Sequence, residues 1–584
     1  MGKLVFKVQT ACILIFIFLL INTSLPFIYC ASGDGMYLAE GGEPSAVIVL
    51  DSNPTRAAQF AAGELRRHIE LITGAALPVV TDAEYAGGPK VLVGESRFTR
   101  EMGLYNKDFN NQEYLIKFLP DTLVLMGKDE EDRRPLDYEE EVPGLYSEWG
   151  RFRMTGNEEL ATCYAVYDFL ERFCGVRWYL PTEAGLVYPE EETLYVEGGD
   201  IRRAPAMKYR AIARADEFPS SLTDEPDPER NLISERERKL YMLRQRLVDI
   251  EPYRVDHAFT GYYKRYLREH PEWFAKGYDE GAPEDPEADM FHKYYPNMCY
   301  TDEGFIDNVV KCARDYFDTG ELRGGEAAAG DYFSVVPMDS LGEDKICRCP
   351  DCAEFLHTRE DAPVNEWRDY YFFWDDRYSD YFFRFTNEVA RRVAKTHPGK
   401  YVTQIAYHQN YYPPVMEPVE PNVAVSYCIH AQLRVVPAMD RAVRDMMDKW
   451  DEAAPESPKY LWLYFHRPGR ADPFFPGFCA HDIVRQMKDY HKRGIKGVFS
   501  EPTYMRPSGG ISQRAPIVNM LEMYITYKLA DNPELDGNKL IDEYFELYYG
   551  AAGDAMQELY EAIEGVYSDP ELQVQSAHLF WVPD

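Results

Sequence analysis

The chain has 584 residues and a formal net charge of −35. A surface this acidic repels phosphate backbones and anionic lipid, which sets nucleic acid aside as a partner. It also holds 44 Tyr, 31 Phe and 8 Trp; core packing absorbs most aromatics in any protein, but aromatic faces are also a common way to hold sugar rings in water.

At the N-terminus, Lys3 and Lys7 precede an apolar run from Ala11 to Ile21 and then Cys30, Ala31 and Ser32. This is the layout of a secretory leader, expected over residues 1–31 and removed on export. The run is short for a membrane anchor, and Phe27, Ile28 and Tyr29 before Cys30 suit a lipoprotein poorly. A secreted, periplasmic or cell-surface protein is expected, with no stable membrane insertion after leader removal.

Residues 32–200 read as a small α+β sandwich domain. Asn53 is placed as an N-cap with Pro54 opening a helix, along which Ala58, Ala61, Leu65, Ile69 and Ile72 form one stripe and which Gly74 stops. Strands are expected at Leu77–Val80, Val91–Val93, Tyr114–Phe118 and Leu123–Met126. A second helix uses Leu160, Cys163, Val166, Tyr167, Leu170 and Phe173 and ends at Gly175. The charged stretch from Asp129 to Gly156 reads as a loop reaching over something.

Over residues 201–512 short apolar strands alternate with helices. The strands are expected at Tyr209–Ala213, Asp256–Phe259, Asn297–Tyr300, Phe333–Val336, Val402–Tyr407, Ala424–Ile429, Tyr460–Phe465 and Gly497–Ser500. Eight strands with intervening helices predict an α/β fold, a (β/α)8 TIM-like barrel. Residues 513–584 form a C-terminal helical region, with helices over Ile517–Ala530, Leu540–Tyr549 and Asp554–Val566.

The segment ATCYAVYDFLERFCGVRWYLPTEAGLVYP, Ala161–Pro189, and the LITGAALPVV continuation of the first helix resemble the N-terminal domain of glycoside hydrolase family 67 alpha-glucuronidases and of beta-hexosaminidase-type enzymes. HPEWFA from His270, NMCYTDEGF from Asn297, the CRCPDC motif and ADNPELDGNKLIDEYFELYYGAAGDAM from Ala530 resemble a bacterial family catalogued as domain of unknown function 4838. The resemblance implies an exported carbohydrate-active protein with an accessory domain before a barrel, and a substrate bearing uronic acid or N-acetyl groups.

Barrel enzymes place their working groups at the C-terminal ends of strands. Asp339 follows the fourth predicted strand and Glu501 the eighth, which supplies the two carboxylates of most glycoside hydrolysis. The plainer reading is that each caps a helix or pairs with a neighbour such as Arg506. An apolar wall of Val498 and Phe499 behind Glu501 suggests the acid role for it. Arg214 closes the first strand, His257 the second, Tyr407 and His408 the fifth, His430 the sixth, and Tyr464 and His466 the seventh. Together they form a polar ring suited to sugar hydroxyls, although a lone histidine is more often a structural hydrogen-bonding group. Tyr411 and Tyr412 are placed either on a saccharide face or against their own loop.

Cys347, Cys349 and Cys352 stand in C-x-C-x-x-C spacing just after Asp339. With Cys299, at the end of the third predicted strand, they would complete a structural zinc tetrahedron, with no open position for catalysis. Disulfides are the alternative in an exported protein, including a small Cys347–Cys352 bridge. Cys163, Cys174, Cys312, Cys428 and Cys479 read as core positions. The expected function is glycoside hydrolysis of poly- or oligosaccharide, with no catalytic cofactor and with oligomeric state left open. The alternatives are a non-catalytic glycan-binding protein and a lyase using Tyr407 or His408 as base.

Overall fold

The computed structural model describes residues 35–143, 158–212, 234–247, 251–259, 262–276, 297–324, 326–338, 346–358, 376–435, 437–465, 478–502 and 520–569. The expected leader lies outside the described residues. Among those described, no helix is long and apolar enough to cross a membrane.

The N-terminal part is built on a six-stranded mixed sheet in the order Ile201–Arg203, Tyr114–Leu119, Thr122–Gly127, Lys90–Val93, Val47–Leu50, Val79–Thr81. Helices Arg56–Thr73 and Ala161–Phe173 cover one face. The first buries the predicted stripe of Ala58, Ala61, Leu65, Ile69 and Ile72. Its N-cap is Thr55, not Asn53: the Thr55 side chain accepts from the Ala58 N–H, whereas the Asn53 N–H turns back to Asp51. Gly74 ends the helix at φ 76°, as a left-handed C-cap allows. The described start of the charged loop lies across this helix, with Tyr138 donating to buried Glu64 at 2.7 Å.

The second large sheet has seven strands in the order Tyr209–Ile212, Gly497–Pro502, Lys459–Phe465, Val423–His430, Tyr401–Ala406, Tyr332–Ser334, Ala327–Ala329. Every pairing is parallel except the last, a hairpin. Val423–His430 is almost wholly buried, as a parallel strand covered on both faces must be. Helices Ser379–Ala394, Pro437–Ala453 and Ala480–Lys492 fill the crossovers.

This is a mixed α/β half-barrel, and two of the eight expected strands are not seen as strands. The segment around Asp256–Phe259 makes a single parallel bridge, His257 to Val336, beside the fourth strand. Asn297–Tyr300 stays out of this sheet, and its Met298 bridges Phe274. The reason is local: Tyr300 packs among Phe305, Phe382 and Phe385 in the helix layer, and Cys299 faces the other cysteines.

Inside the curve a second apolar cluster gathers around four tyrosines near the N-terminal ends of the strands. Tyr253 stacks on Tyr460 with ring centroids 3.6 Å apart and meets Tyr209 at 5.0 Å and Tyr332 at 4.9 Å. Their hydroxyls are partnered: Tyr253 with Ser426 at 2.7 Å, and Tyr332 with Tyr460 at 3.0 Å. Gly497 is required beside this plug, since a Cβ there would lie 2.5 Å from the Tyr209 Cβ.

Helices Met520–Asp531, Gly537–Tyr549 and Gly553–Ser568 close the described chain. Ion pairs tie them to the N-terminal part: Arg177, half-buried, donates from Nε and one terminal nitrogen to the two oxygens of Glu543, at 2.6 and 2.7 Å, and Lys528 pairs with Glu171. Arg246 reaches Glu171 at 2.8 Å and Asp531 at 3.3 Å.

Candidate functional site

In parallel strands side chains alternate between faces, and directly paired residues share one. On Lys459–Phe465 the interior residues are Tyr460, Trp462 and Tyr464; on Val423–His430 the interior cluster takes Ala424 and Cys428, and His430 continues that alternation. The register sets His430 beside Tyr464 and Tyr464 beside Glu501. Three sequence-nominated residues therefore stand in one row across three neighbouring strands at their C-terminal ends.

The row is tightly packed. The His430 and Tyr464 rings stack at 4.8 Å with 26° between planes. Tyr407 lies 6.4 Å from Tyr464 and 3.8 Å from the His408 ring. His408 itself adopts φ 52°, a left-handed backbone uncommon for a residue with a Cβ. That turn is held by the Asn410 side chain donating to the Ile405 carbonyl at 2.7 Å. His257 shares its Nδ1 with the Pro337 carbonyl at 2.5 Å, which brings it to the exit of the fourth predicted strand.

Glu501 is half-buried, and its Oε2 accepts from the indole N–H of Trp462 at 2.9 Å. The wall behind it differs from the expected one. Val498 packs outward into the helix layer, and only Phe499 faces inward, edge-on to Trp462 at 4.6 Å. The indole and the carboxylate oxygen are set as a charge-assisted hydrogen bond requires, and of the expected apolar wall only Phe499 remains.

Trp462 was not among the nominated residues. In KYLWLYF it reads as one more core aromatic, but it stands two residues before Tyr464 and so on the same face, a signal the alternation alone carries. Tyr411 and Tyr412 are both buried in the main core, with the Trp450 indole of helix Pro437–Ala453 donating to the Tyr411 carbonyl at 2.9 Å, so both are packing residues. Arg214, Asp339 and His466 lie outside the described residues.

The four nominated cysteines converge elsewhere. The sulfurs of Cys299, Cys347, Cys349 and Cys352 all lie within 4.8 Å of one another. None of the described cysteines is in a disulfide. Cys163, Cys174, Cys312, Cys428 and Cys479 are buried, as expected of core positions.

Among solved structures, a family GH115 4-O-methyl-alpha-glucuronidase with specificity for decorated arabinogalactans is similar at 12% identity and a TM-score of 0.44 over 91% of this chain, which spans 62% of that enzyme. A mutant Streptomyces plicatus beta-hexosaminidase in complex with its product GlcNAc is similar at 12% identity and a TM-score of 0.38, covering 90% of this chain and 93% of that one. A beta-N-acetylhexosaminidase from Bacteroides fragilis is similar at 11% identity and a TM-score of 0.39, covering 91% and 94%. Likeness of this degree carries nothing about chemistry, which has to be read from this chain's own side chains. No curated protein matches the chain. One family profile does match, over residues 180–561, and the chain belongs to that family, described as domain of unknown function (DUF4838).

Proposed function

We propose that the protein is an exported glycoside hydrolase acting on poly- or oligosaccharide, with its site at the C-terminal ends of the strands of the half-barrel. The observation that carries this reading is the row of His430, Tyr464 and Glu501 on three adjacent strands, with Trp462 donating to the carboxylate. A sugar needs a flat aromatic face, hydrogen-bonding groups for its hydroxyls and a carboxylate near the anomeric carbon, and the mouth offers all three. Glu501, supported as an anion, attacks the anomeric carbon or takes a proton from the attacking water. Asp339, which follows Met338 in the sequence, is assigned the acid that protonates the leaving oxygen. Tyr407, His408, His257, Arg214 and His466 are assigned to substrate binding. Export rests on the leader-like residues 1–31.

The test is a screen of the purified protein against plant, algal and host polysaccharides, with Glu501→Gln beside the wild type. The wild type should release reducing ends on at least one substrate. Glu501→Gln should lose at least ~100-fold in kcat, in the range seen when a group acting in the transition state is removed, while still binding that substrate. Equal rates in the two proteins would refute the role of Glu501. An unsaturated, ultraviolet-absorbing product would make the protein a lyase with Tyr407 or His408 as base. Binding without product from either protein would make it a glycan-binding module.

A further inference from the structure

The cysteine cluster lies apart from the row at the mouth, and its chemistry is separate. Cys299, Cys347 and Cys352 are buried and Cys349 half-buried, so four polarisable thiols share one small, largely dry volume. The Cys299 sulfur is 3.6 Å from that of Cys352 and 3.8 Å from that of Cys349. Four sulfurs at ~2.3 Å from a central ion in a regular tetrahedron stand about 3.8 Å from one another. The cluster therefore has the spacing of a ligand cage around a thiophilic ion, whereas a bonded sulfur pair needs about 2.05 Å.

A second observation points the same way. Donors are aimed at the sulfurs: the Lys276 N–H lies 3.3 Å from Cys347 Sγ, the Cys352 N–H lies 3.5 Å from Cys349 Sγ, and the Thr301 hydroxyl sits 3.0 Å from Cys352 Sγ. Backbone N–H groups directed at sulfur stabilise thiolates, and they are the usual outer shell of a thiolate-ligated metal. The turn is also built for this. Cys349 caps the short helix Pro350–Ala353, with Pro350 at its first position, and that folds Cys349 and Cys352 onto one side.

We propose that Cys299, Cys347, Cys349 and Cys352 form a structural site for a tetrahedral thiophilic divalent cation of the zinc class. Four thiols lose their protons to solvent as the ion binds, and no electron is transferred. With all four positions filled by protein, the ion has no place for water or substrate. Its work is to join the turn at 297–301, which supplies Cys299, to the turn at 346–353, which supplies the other three. The strip at 270–276 is held to both turns by backbone bonds, Cys299 N–H donating to the Trp273 carbonyl and Arg348 N–H to the Lys276 carbonyl, both at 2.8 Å. Helix Glu303–Thr319 starts directly after the second of these, capped by Asp302.

The test uses the full chain purified without added metal. Elemental analysis should find close to one thiophilic divalent ion per chain. Cobalt exchanged into the protein should give the intense near-ultraviolet thiolate band and the visible bands of a tetrahedral sulfur site. Cys349→Ser, the substitution at the ligand nearest the surface, should lower metal affinity at least ~10-fold, the range recorded when support for a ligand is lost. Metal loss alone can unfold that variant, so the wild-type protein carries the decision: mass spectrometry showing a Cys347–Cys352 or other disulfide within the four, or four freely alkylated thiols with no metal, would overturn the proposal.

Discussion

Arg244→Met tests how the N-terminal part is fastened to the rest of the chain. Arg244, the last residue of helix Glu235–Arg244, donates to both oxygens of Glu64 at 2.8 and 3.1 Å. Glu64 is fully buried on the helix Arg56–Thr73, and its remaining side-chain partner is the Tyr138 hydroxyl. Burial pushes its carboxyl up, but the Arg244 charge, with help from His68 and the two hydrogen bonds, brings it down to about 2. Methionine keeps much of the aliphatic stem, so the substitution removes mainly the guanidinium, which also lies over the Trp178 ring at 5.7 Å. A buried carboxylate stripped of its cation costs about 3–5 kcal/mol.

The sign of the pH dependence follows from the same groups. In the wild type Glu64 titrates lower folded than unfolded, so its stabilisation is full above about 4.5 and is lost as pH falls toward about 2. His68 is held down to about 4, chiefly by burial, and accepts from the Trp178 indole at 3.2 Å. Its contribution is therefore also lost on acidification, between about 6.5 and 4. In Arg244→Met burial acts on Glu64 without its arginine, so the carboxyl takes up a proton while folded and the penalty shrinks as pH falls. Denaturant melts followed by circular dichroism should show a deficit of about 3–5 kcal/mol at pH 7, a smaller one at pH 5, and partial recovery in Glu64→Gln/Arg244→Met. A deficit under about 1 kcal/mol, or one unchanged between the two pH values, would refute the reasoning.

Two further outcomes are expected at the barrel. Trp462→Phe keeps the aromatic face but removes the donor to Glu501; a hydrogen bond to a charged group is worth about 1.5–3 kcal/mol, so kcat should fall by roughly 10- to 150-fold with the melting midpoint nearly unchanged, and an unaltered kcat would detach Trp462 from the chemistry. Tyr253→Ala empties the centre of the tyrosine plug and should cost about 3–5 kcal/mol, whereas Tyr253→Phe, which forfeits only the bond to Ser426, should cost about 1 kcal/mol; urea midpoints separate the two, and equal losses would mean the hydroxyl, not the ring, holds the plug.

Much of the molecule could be read in the sequence, for reasons that differ by element. The helix Arg56–Thr73 was legible because its apolar stripe repeats at helical spacing, but its start slipped by two residues because Asp51, Asn53 and Thr55 are all competent caps and only tertiary contact chooses between them. Thr55 wins because its hydroxyl also reaches Asp129, at 3.0 Å. The central parallel strands were legible as apolar runs of the right length. NMCY at Asn297 has the same look and belongs to a different structure, because a four-residue apolar run does not say whether it pairs with a sheet or fills a gap between helices. The sulfur of Cys299 does meet the C-x-C-x-x-C turn, but not by the expected route of adjacent barrel strands, since Asn297–Tyr300 is no strand of the sheet. Tyr411 and Tyr412 were ambiguous from sequence because an aromatic beside proline fits a core or a surface equally well.

The interior of the curved sheet also argues for which end a ligand enters. At the N-terminal ends, Tyr209, Tyr253, Tyr332 and Tyr460 fill the space ring against ring, with the Tyr253 hydroxyl on Ser426 and those of Tyr332 and Tyr460 on each other. One layer further along the register runs Ala211, Phe499, Trp462, Cys428, two large rings side by side between two small residues. The small flanking residues leave space into which the two large rings lean, so this layer too is packed. Only in the next layer do polar side chains take over, in the order His430, Tyr464, Glu501 along the register. The tyrosine packing closes the N-terminal end of the sheet, and the half-buried His430, Tyr464 and Glu501 stand at the other end, where the Trp462 indole holds the carboxylate from the layer below.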